Sequence, residues 1–178
     1  MFSKIEIAGI ALSVTAMAGA LYIATKEPDT NDTNVTVETD TVFVKDGGDE
    51  AANLREAIVG AADSTGNLAK LIIDDVTVGD GEGAAIGDTV TVHYIGTLQN
   101  GQEFDNSNKR GTPFTFTIGE GKVIKGWEEG VVGMKAGGKR ILVIPSDKAY
   151  GDAGYGPIPG GANLVFAIDL LEIKTSAE

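Results

Sequence analysis

The chain has 178 residues, and 14 Lys and Arg against 26 Asp and Glu give it a net charge of −12. The apolar fraction of 42% supports a packed core and excludes a wholly disordered chain. The absence of Cys excludes disulfides, thiolate catalysis and Cys-based zinc sites, and so acidic a chain is a poor candidate for binding nucleic acid. With a single His as well, we expect no metal and no cofactor.

Charge divides the sequence into three segments. Residues 1–26 carry a net charge of +1, residues 27–68 carry −8, and residues 69–178 carry −5. These breaks predict an N-terminal membrane-targeting segment, an acidic linker with a short extension, and one folded domain.

The first segment contains an uncharged apolar run from residue 7 to residue 24. As a helix it would span about 27 Å, close to the bilayer core of about 30 Å. Lys4 precedes the run, and acidic residues follow Lys26, which favours export of the rest of the chain. We expect a membrane anchor with the folded domain outside the cytoplasm. The alternative is a signal peptide cleaved after Ala20, which would leave a secreted or periplasmic protein.

The second segment begins as a polar linker and then contains two predicted elements. Residues 35–44 are β-branched and partly alternating, which predicts a strand. Residues 49–62 predict a short helix, on which Leu54, Ile58 and Ala62 form an apolar stripe. Such a stripe could pair two chains, but packing on the folded domain is the simpler expectation.

The third segment alternates strand and turn signals, with one helix among them. The helix is predicted over residues 123–132 and includes Trp127, and Asn100-Gly101 is a typical hairpin turn. Many short strands with one helix predict an α+β domain whose antiparallel sheet packs on that helix. The predicted strands are 71–78, 89–98, 113–118, 139–144 and 164–173.

Reactive side chains are scarce in this segment. His93 lies in an alternating strand, where a hydrogen-bonded structural role is expected. Gly133 to Lys139 has the spacing of a phosphate-binding loop, but Arg140 occupies the Ser or Thr position and a strand follows, so we reject that function. What stands out is a high density of aromatic residues beside Asp105, although ordinary core packing would explain most of them.

A series of motifs identifies the domain more specifically. In unbroken order over about 100 residues, the sequence from Leu71 to Lys174 resembles an FKBP-type peptidyl-prolyl cis–trans isomerase domain. The motifs are VHYIGTL at 92–98, the segments 100–107 and 113–116, the segment 119–130 with VIKGWEEG, AYG at 149–151 and LVF at 164–166.

The resemblance implies a curved antiparallel sheet wrapped around one short α-helix, with a cavity between them for an Xaa-Pro dipeptide. It implies Trp127 as the floor, and the Ile124 amide and the Tyr150 hydroxyl as donors to the ligand. Phe104, Asp105 and Tyr150 are the implied catalytic residues, with Arg110 placed to pair with Asp105. The full implied pocket is Tyr94, Phe104, Asp105, Phe114, Val123, Ile124, Trp127, Tyr150, Ile158 and Phe166.

The loop after Tyr150 departs from the family. It is one residue shorter than the common pattern, and Tyr155 stands where many members have His or another residue.

The resemblance implies a cofactor-free isomerase that accelerates rotation of Xaa-Pro bonds in exported or membrane-proximal proteins and so helps them fold. Proline-containing unfolded polypeptides are the implied partners, with the family's macrolide inhibitors as further ligands. Such catalysis requires no nucleophile, in keeping with a sequence that has no Cys and one His. Two alternatives are a chaperone module that binds proline-containing segments with little turnover, and a purely structural exported domain.

Overall fold

The computed structural model describes residues 35–37, 41–44, 57–64 and 67–176. The predicted apolar helix at 7–24 and the first part of the predicted helix, 49–56, lie outside these residues. Within the described ranges, no helix has both the length and the apolar character needed to cross a membrane.

An eight-stranded sheet and short helices form the described part of the chain. The sheet order is β1-β2-β3-β9-β10-β5-β6, with β7 also paired to β5, and β4 and β8 form a separate two-stranded sheet. The strands are Val35–Val37 (β1), Thr41–Val44 (β2), Leu71–Thr77 (β3), Asp80–Gly83 (β4), Thr89–Leu98 (β5), Glu103–Asn106 (β6), Phe114–Thr117 (β7), Lys135–Ala136 (β8), Lys139–Ile144 (β9) and Leu164–Lys174 (β10). The helices are Ser107–Arg110 (α1), Lys125–Gly130 (α2) and the helical residues 57–61, with 3₁₀ turns at Ser146–Lys148 and Gly151–Ala153.

The longest pairing in the sheet joins β5 to β10. Every second residue of β5 is buried, as expected for a strand whose one face covers a core. The pairing runs from Leu98 opposite Leu164 to Thr89 opposite Lys174, with an irregularity between Leu170 and Glu172. A bulge of this kind increases local twist, which helps a sheet curve around a helix.

Helix α2 packs directly on β9 because two of its residues are glycines. A Cβ atom at Gly126 would lie 2.4 Å from a methyl carbon of Ile144, and one at Gly130 would lie 2.6 Å from a methyl carbon of Leu142. Any larger residue would push the helix away from the strand. This close approach brings Trp127 into the core.

The C-terminal end of α2 is held by Arg140, whose side chain is almost fully buried. Its guanidinium donates to both carboxylate oxygens of Asp75 on β3, at 2.7 and 2.8 Å. It also donates to the carbonyl oxygens of Gly130 and Val132, at 2.7 and 3.0 Å. The Gly130 carbonyl is one of those that a helix end leaves without an internal partner, and Val132 lies two residues beyond the helix. One side chain therefore joins β9, β3 and the helix.

The two faces of the sheet bury separate apolar clusters. The inner cluster lies between the sheet and α2 and contains the aromatic residues. The outer cluster lies under the helical residues 57–61 and β2; its buried members are Val42, Ala57, Ala61, Ile72, Val143 and Val165.

The structure confirms the predicted FKBP-like combination of a sheet and short helices but corrects several details. The sheet is mixed and not wholly antiparallel, because β2 pairs with β3 in parallel. The expectation of a single helix in the domain is wrong, because α1 is also present. The predicted strand 35–44 is two strands, β1 and β2, that pair antiparallel with each other.

The predicted helix 49–62 is helical at 57–61 within the described residues. The buried positions are Ala57 and Ala61, with Ile58 partly buried beside them, so the packed face is shifted from the predicted stripe. Ala62 forms an isolated bridge with Leu68 instead of continuing the helix. Packing on the folded domain is confirmed for residues 57–61, the part of the helix that the structure describes.

Candidate functional site

An aromatic cage forms the inner face of the sheet, with Trp127 at its centre. The ring centroids of Tyr94, Phe166, Phe116 and Phe114 lie 5.1, 5.2, 5.6 and 6.1 Å from that of Trp127. Most of these pairs meet edge to face, the arrangement favoured by aromatic quadrupoles. Trp127 is therefore packed against four other aromatic rings.

One side of the cage depends on Gly96, near the C-terminal end of β5. Phe104 packs edge to face on Phe166 with centroids 5.6 Å apart. A Cβ atom at Gly96 would lie 2.8 Å from a ring carbon of each. Glycine inside a strand often marks such a close approach. The position of Gly96 within the predicted strand 89–98 was therefore a signal for this contact.

All ten predicted pocket residues converge on this cage. Tyr94, Trp127, Ile158 and Phe166 belong to the buried inner cluster, whereas Phe104, Phe114, Val123, Ile124 and Tyr150 are partly exposed and pack against it. Asp105 joins them through its hydrogen bond to Tyr94. The partly exposed members form an open rim around a buried aromatic floor. Phe116, which was not among the predicted pocket residues, packs against Phe114 and Trp127.

The polar side of the pocket is a network around the Asp105 carboxylate. The Tyr94 hydroxyl donates to one oxygen of Asp105, and the Arg110 guanidinium donates to the other. The Asn106 N–H donates to Asp105 at 2.8 Å, and Arg110 also donates to the Tyr94 hydroxyl oxygen at 2.9 Å. The predicted pairing of Asp105 with Arg110 is therefore confirmed.

Local sequence explains why Arg110 turns back toward Asp105. The Asn106 side chain caps α1 by accepting from the backbone N–H groups of Asn108 and Lys109. Gly111 ends the helix at a positive φ of 68°, which glycine adopts without strain. A four-residue helix thus places Arg110 with its guanidinium 5.4 Å from the centre of the Tyr94 ring.

His93 has the structural role predicted for it. Its Nδ1 atom lies 2.9 Å from the Ser107 hydroxyl oxygen, which also accepts the Tyr94 N–H at 2.8 Å. These contacts connect α1 to β5 behind the Asp105 network.

The pKa values of both pocket tyrosines, Tyr94 and Tyr150, are raised. Burial, followed by the hydrogen bond to Asp105, raises the pKa of the Tyr94 hydroxyl. Burial, followed by the proximity of Tyr155 and Asp105, raises the pKa of the Tyr150 hydroxyl. Because a tyrosine ordinarily titrates near pH 10, both hydroxyls remain donors at neutral pH.

Three donors of the pocket are without partners among the described residues. The Ile124 N–H and the Tyr150 hydroxyl form no hydrogen bond there. The indole Nε1 of Trp127 is fully buried and likewise has no partner in that part of the chain. An unpaired donor that is fully buried reduces stability, which makes Trp127 Nε1 exceptional. Ile124 and Tyr150 are partly exposed, and their donors are available to an acceptor on a ligand.

Tyr155 lies beside the pocket. Its ring stacks on that of Tyr150 with centroids 5.3 Å apart and an angle of 15° between the planes. Its backbone exchanges two hydrogen bonds with Ile158, both 2.9 Å long, which place Ile158 in the buried cluster. Tyr155 itself is 69% exposed.

In the described ranges, the carboxylates and His93 are dispersed, and the segment 133–139 has no helix directly after it. No group of three or more His, Cys, Asp or Glu side chains converges there. The turn at Gly138-Lys139 leads into strand β9 and not into a helix, which agrees with the rejection of a phosphate-binding loop.

Comparison with known proteins finds relatives that share the matching region of the chain. The sequence model of the FKBP-type peptidyl-prolyl cis–trans isomerase family matches residues 81–171. The FK506-binding protein of Neisseria meningitidis serogroup A is 50% identical over 107 residues, which cover 60% of this chain and 98% of that protein. FK506-binding protein 4 of Emericella nidulans is 56% identical over 104 residues, 58% of this chain and 22% of that protein.

The fold has counterparts among solved structures. FkpA from Escherichia coli is 45% identical with a TM-score of 0.57, covering 65% of this chain and 52% of the FkpA chain. AtFKBP13 is 40% identical with a TM-score of 0.56, covering 64% of this chain and 98% of that chain. By contrast, this chain spans only about a fifth of the length of FK506-binding protein 4 from E. nidulans.

Proposed function

Because the chain belongs to the FKBP-type peptidyl-prolyl cis–trans isomerase family, we propose that it accelerates rotation about Xaa-Pro bonds and so assists protein folding. The observation that carries this proposal is the aromatic cage on Trp127, with the Ile124 N–H and the Tyr150 hydroxyl unpaired at its rim. An apolar cage with a few free donors suits a proline ring and its neighbouring carbonyl groups.

The chemistry requires only that the pocket favour the twisted amide over the planar one. Amide resonance creates a rotational barrier of about 18–20 kcal/mol. Twisting removes that resonance and makes the amide less polar, so an apolar cage destabilises the planar form more than the twisted one. No covalent intermediate is required.

The polar groups act by orientation. The Ile124 N–H and the Tyr150 hydroxyl donate to substrate carbonyl oxygens and hold the peptide while the prolyl bond turns. Asp105 already accepts from Tyr94, Arg110 and Asn106, so it acts mainly by fixing the Tyr94 ring and by its charge at the pocket wall. Phe104 supplies apolar wall against the proline ring.

The ligands of the pocket are proposed on the same basis. Unfolded or partly folded polypeptides containing proline are its substrates. Several relatives are named FK506-binding proteins, and we propose that inhibitors of that type occupy this pocket and compete with peptide.

Cellular placement is a separate proposal, supported by the apolar run at 7–24 and the charges on either side of it. The chain is anchored in a membrane with its domain outside the cytoplasm, where it serves exported or membrane-proximal clients. Fractionation tests this: an anchored protein pellets with membranes and resists carbonate extraction. A soluble product that begins near residue 21 would instead indicate a cleaved signal peptide.

The activity is tested by two-dimensional exchange NMR on a short peptide with one Xaa-Pro bond. The full chain should accelerate cis–trans exchange, and an FK506-type inhibitor should abolish the acceleration. Lys174→Ala, on the exposed end of β10, serves as the surface control. Binding of peptide without acceleration would support the alternative of a proline-binding module, and absence of both would contradict any role for the pocket.

A further inference from the structure

The loop between β7 and α2 brings two rim residues into the pocket. Val123 and Ile124 are partly buried against the inner cluster, whereas residues 119–122 are exposed. Gly119 and Gly121 have positive φ values of 92° and 68°. Apolar packing therefore holds one end of the loop, and an exposed half with two positive-φ glycines precedes it.

The exposed half is held by Glu128 of α2. One carboxylate oxygen of Glu128 accepts the Gly119 N–H, and the other accepts the Gly121 N–H at 2.9 Å. In the described part of the chain, Glu128 is the only side chain outside the loop that hydrogen-bonds to it. The nearby ion pair between Lys122 and Glu120 lies wholly within the loop and is exposed.

The same turn of helix holds both sides of Ile124. The Ile124 carbonyl accepts the N–H groups of Trp127 and Glu128, at 2.9 and 3.2 Å. The Glu128 side chain meanwhile fixes the chain that leads into Ile124. The carbonyl of Ile124 is thus bound by the helix backbone, and the loop that precedes Ile124 is bound at Gly119 and Gly121 by one carboxylate.

We infer that Glu128 is a positioning residue for prolyl isomerisation, because it fixes the loop that presents the Ile124 N–H and the Val123 side chain to the substrate. This inference rests on the proposed function. Glu128 touches no substrate in this scheme and acts through the loop. Small displacements of orienting groups reduce rates strongly, so a loosened loop should affect turnover.

The required chemistry is a pair of acceptor oxygens. Glutamine is nearly the same shape but has one acceptor oxygen and an NH₂ group, which cannot accept the second backbone N–H. Glu128→Gln therefore releases one end of the loop while keeping the volume of the side chain. Glu120→Gln is the matched control, since it removes one negative charge from the same loop and no backbone acceptor.

The test uses the full chain and three measurements: isomerisation kinetics, backbone amide exchange by NMR, and thermal unfolding. We expect Glu128→Gln to lower kcat/KM about tenfold, mainly through kcat, and to raise amide exchange at Gly119 or Gly121 at least fivefold. Unfolding midpoints of Glu128→Gln and Glu120→Gln should agree within about 3 °C, and Glu120→Gln should keep the parental kinetics and exchange.

Three outcomes would overturn the inference. Faster exchange with parental kinetics would show that the anchored loop is irrelevant to turnover, and unchanged exchange would show that Glu128 is no anchor. A parental chain without turnover would remove the proposed function and this inference with it. If Glu128→Gln does not fold, Glu128→Asp replaces it, because it keeps both oxygens on a shorter side chain. This variant must show a smaller loss of kcat/KM and a smaller rise in amide exchange. Parental kinetics and exchange in Glu128→Asp would equally refute the role.

Discussion

The same strands build two very different faces of one sheet. On β9, Leu142 and Ile144 face the aromatic inner cluster, whereas Ile141 and Val143 face the small aliphatic cluster under residues 57–61. The inner face contains half-buried rings and unpaired donors. The buried members of the outer cluster are all Ala, Val or Ile.

This difference indicates that one face contributes mainly to activity and the other mainly to stability. Free donors and half-exposed rings contribute little to stability, and proteins tolerate them where function requires them. Fully buried aliphatic side chains contribute to folding and offer no chemistry. Substitutions of the partly exposed pocket residues should therefore change turnover more than stability, and substitutions in the outer cluster should do the reverse.

The largest effect on stability is expected when the residues that cover the outer face are removed. A chain that begins at Ala69 would expose Ile72, Val143 and Val165, which are at most 6% exposed in the intact protein. Loss of their burial should lower the free energy of unfolding by about 2–4 kcal/mol, and the melting temperature by roughly 10–20 °C. Differential scanning calorimetry measures the shift.

The shortened chain should keep its turnover at 25 °C, because every proposed pocket residue lies beyond residue 69. The Neisseria relative, of which 98% is covered by the match, is itself almost confined to the matching region. If the shortened chain folds but loses most of its turnover, the two faces are not independent.

Two substitutions, one on each face of the sheet, should separate effects on turnover from effects on stability. Phe104→Ala removes a ring from the pocket wall and should lower kcat/KM roughly ten- to a hundredfold, equivalent to about 1–3 kcal/mol of transition-state stabilisation. Ile72→Ala on the outer face should lower unfolding free energy by about 2–5 kcal/mol and leave the turnover of folded protein unchanged. Equal effects of both variants on turnover would contradict this difference between the faces.

A smaller effect is expected when only a donor is removed. Tyr150→Phe keeps the ring and its stacking on Tyr155 but deletes the hydroxyl, and should lower kcat about two- to tenfold. Tyr155→Phe is the matched control, because it makes the same change on the exposed neighbour and should leave kcat unchanged. Parental kcat in Tyr150→Phe would exclude a hydrogen bond from that hydroxyl to the twisting peptide.

The smallest effect concerns pH. Since burial raises the pKa of both Tyr94 and Tyr150 above the usual value near 10, each remains protonated and able to donate at lower pH. Their contribution should be complete below about pH 9.5 and be lost only as the pH rises beyond 10. We therefore expect constant kcat/KM between about pH 7.5 and 9.5, and a decline within that window would contradict the tyrosine assignments.

The sequence predicted secondary structure and burial best in elements with a clear hydrophobic periodicity. The alternation in β5 fixes which residues face the core, and the observed burial follows it residue by residue. The parallel pairing of β2 with β3 was not predictable in this way, because alternation does not specify which strand lies alongside. Strand β6 and helix α1 were missed because four residues are too few to show a periodic signal.

The site shows the same limit. Family motifs brought together the ten pocket residues, but they assigned no role to Gly96 or Glu128. Gly96 matters because two rings from other strands meet over it, and Glu128 matters because a loop folds back to its carboxylate. Both functions depend on neighbours distant from the local pattern.

The buried Arg140 has a consequence for how the molecule opens. A six-residue helix has little stability of its own. Because one guanidinium ties the end of α2 to Asp75 on β3, the helix cannot unravel without breaking a charge pair inside the sheet. The floor of the pocket and the centre of the sheet should therefore belong to one cooperative unit, whose amides exchange only in global unfolding. With the proposed activity, the protein would act on unfolded chains through a site that does not itself unfold locally.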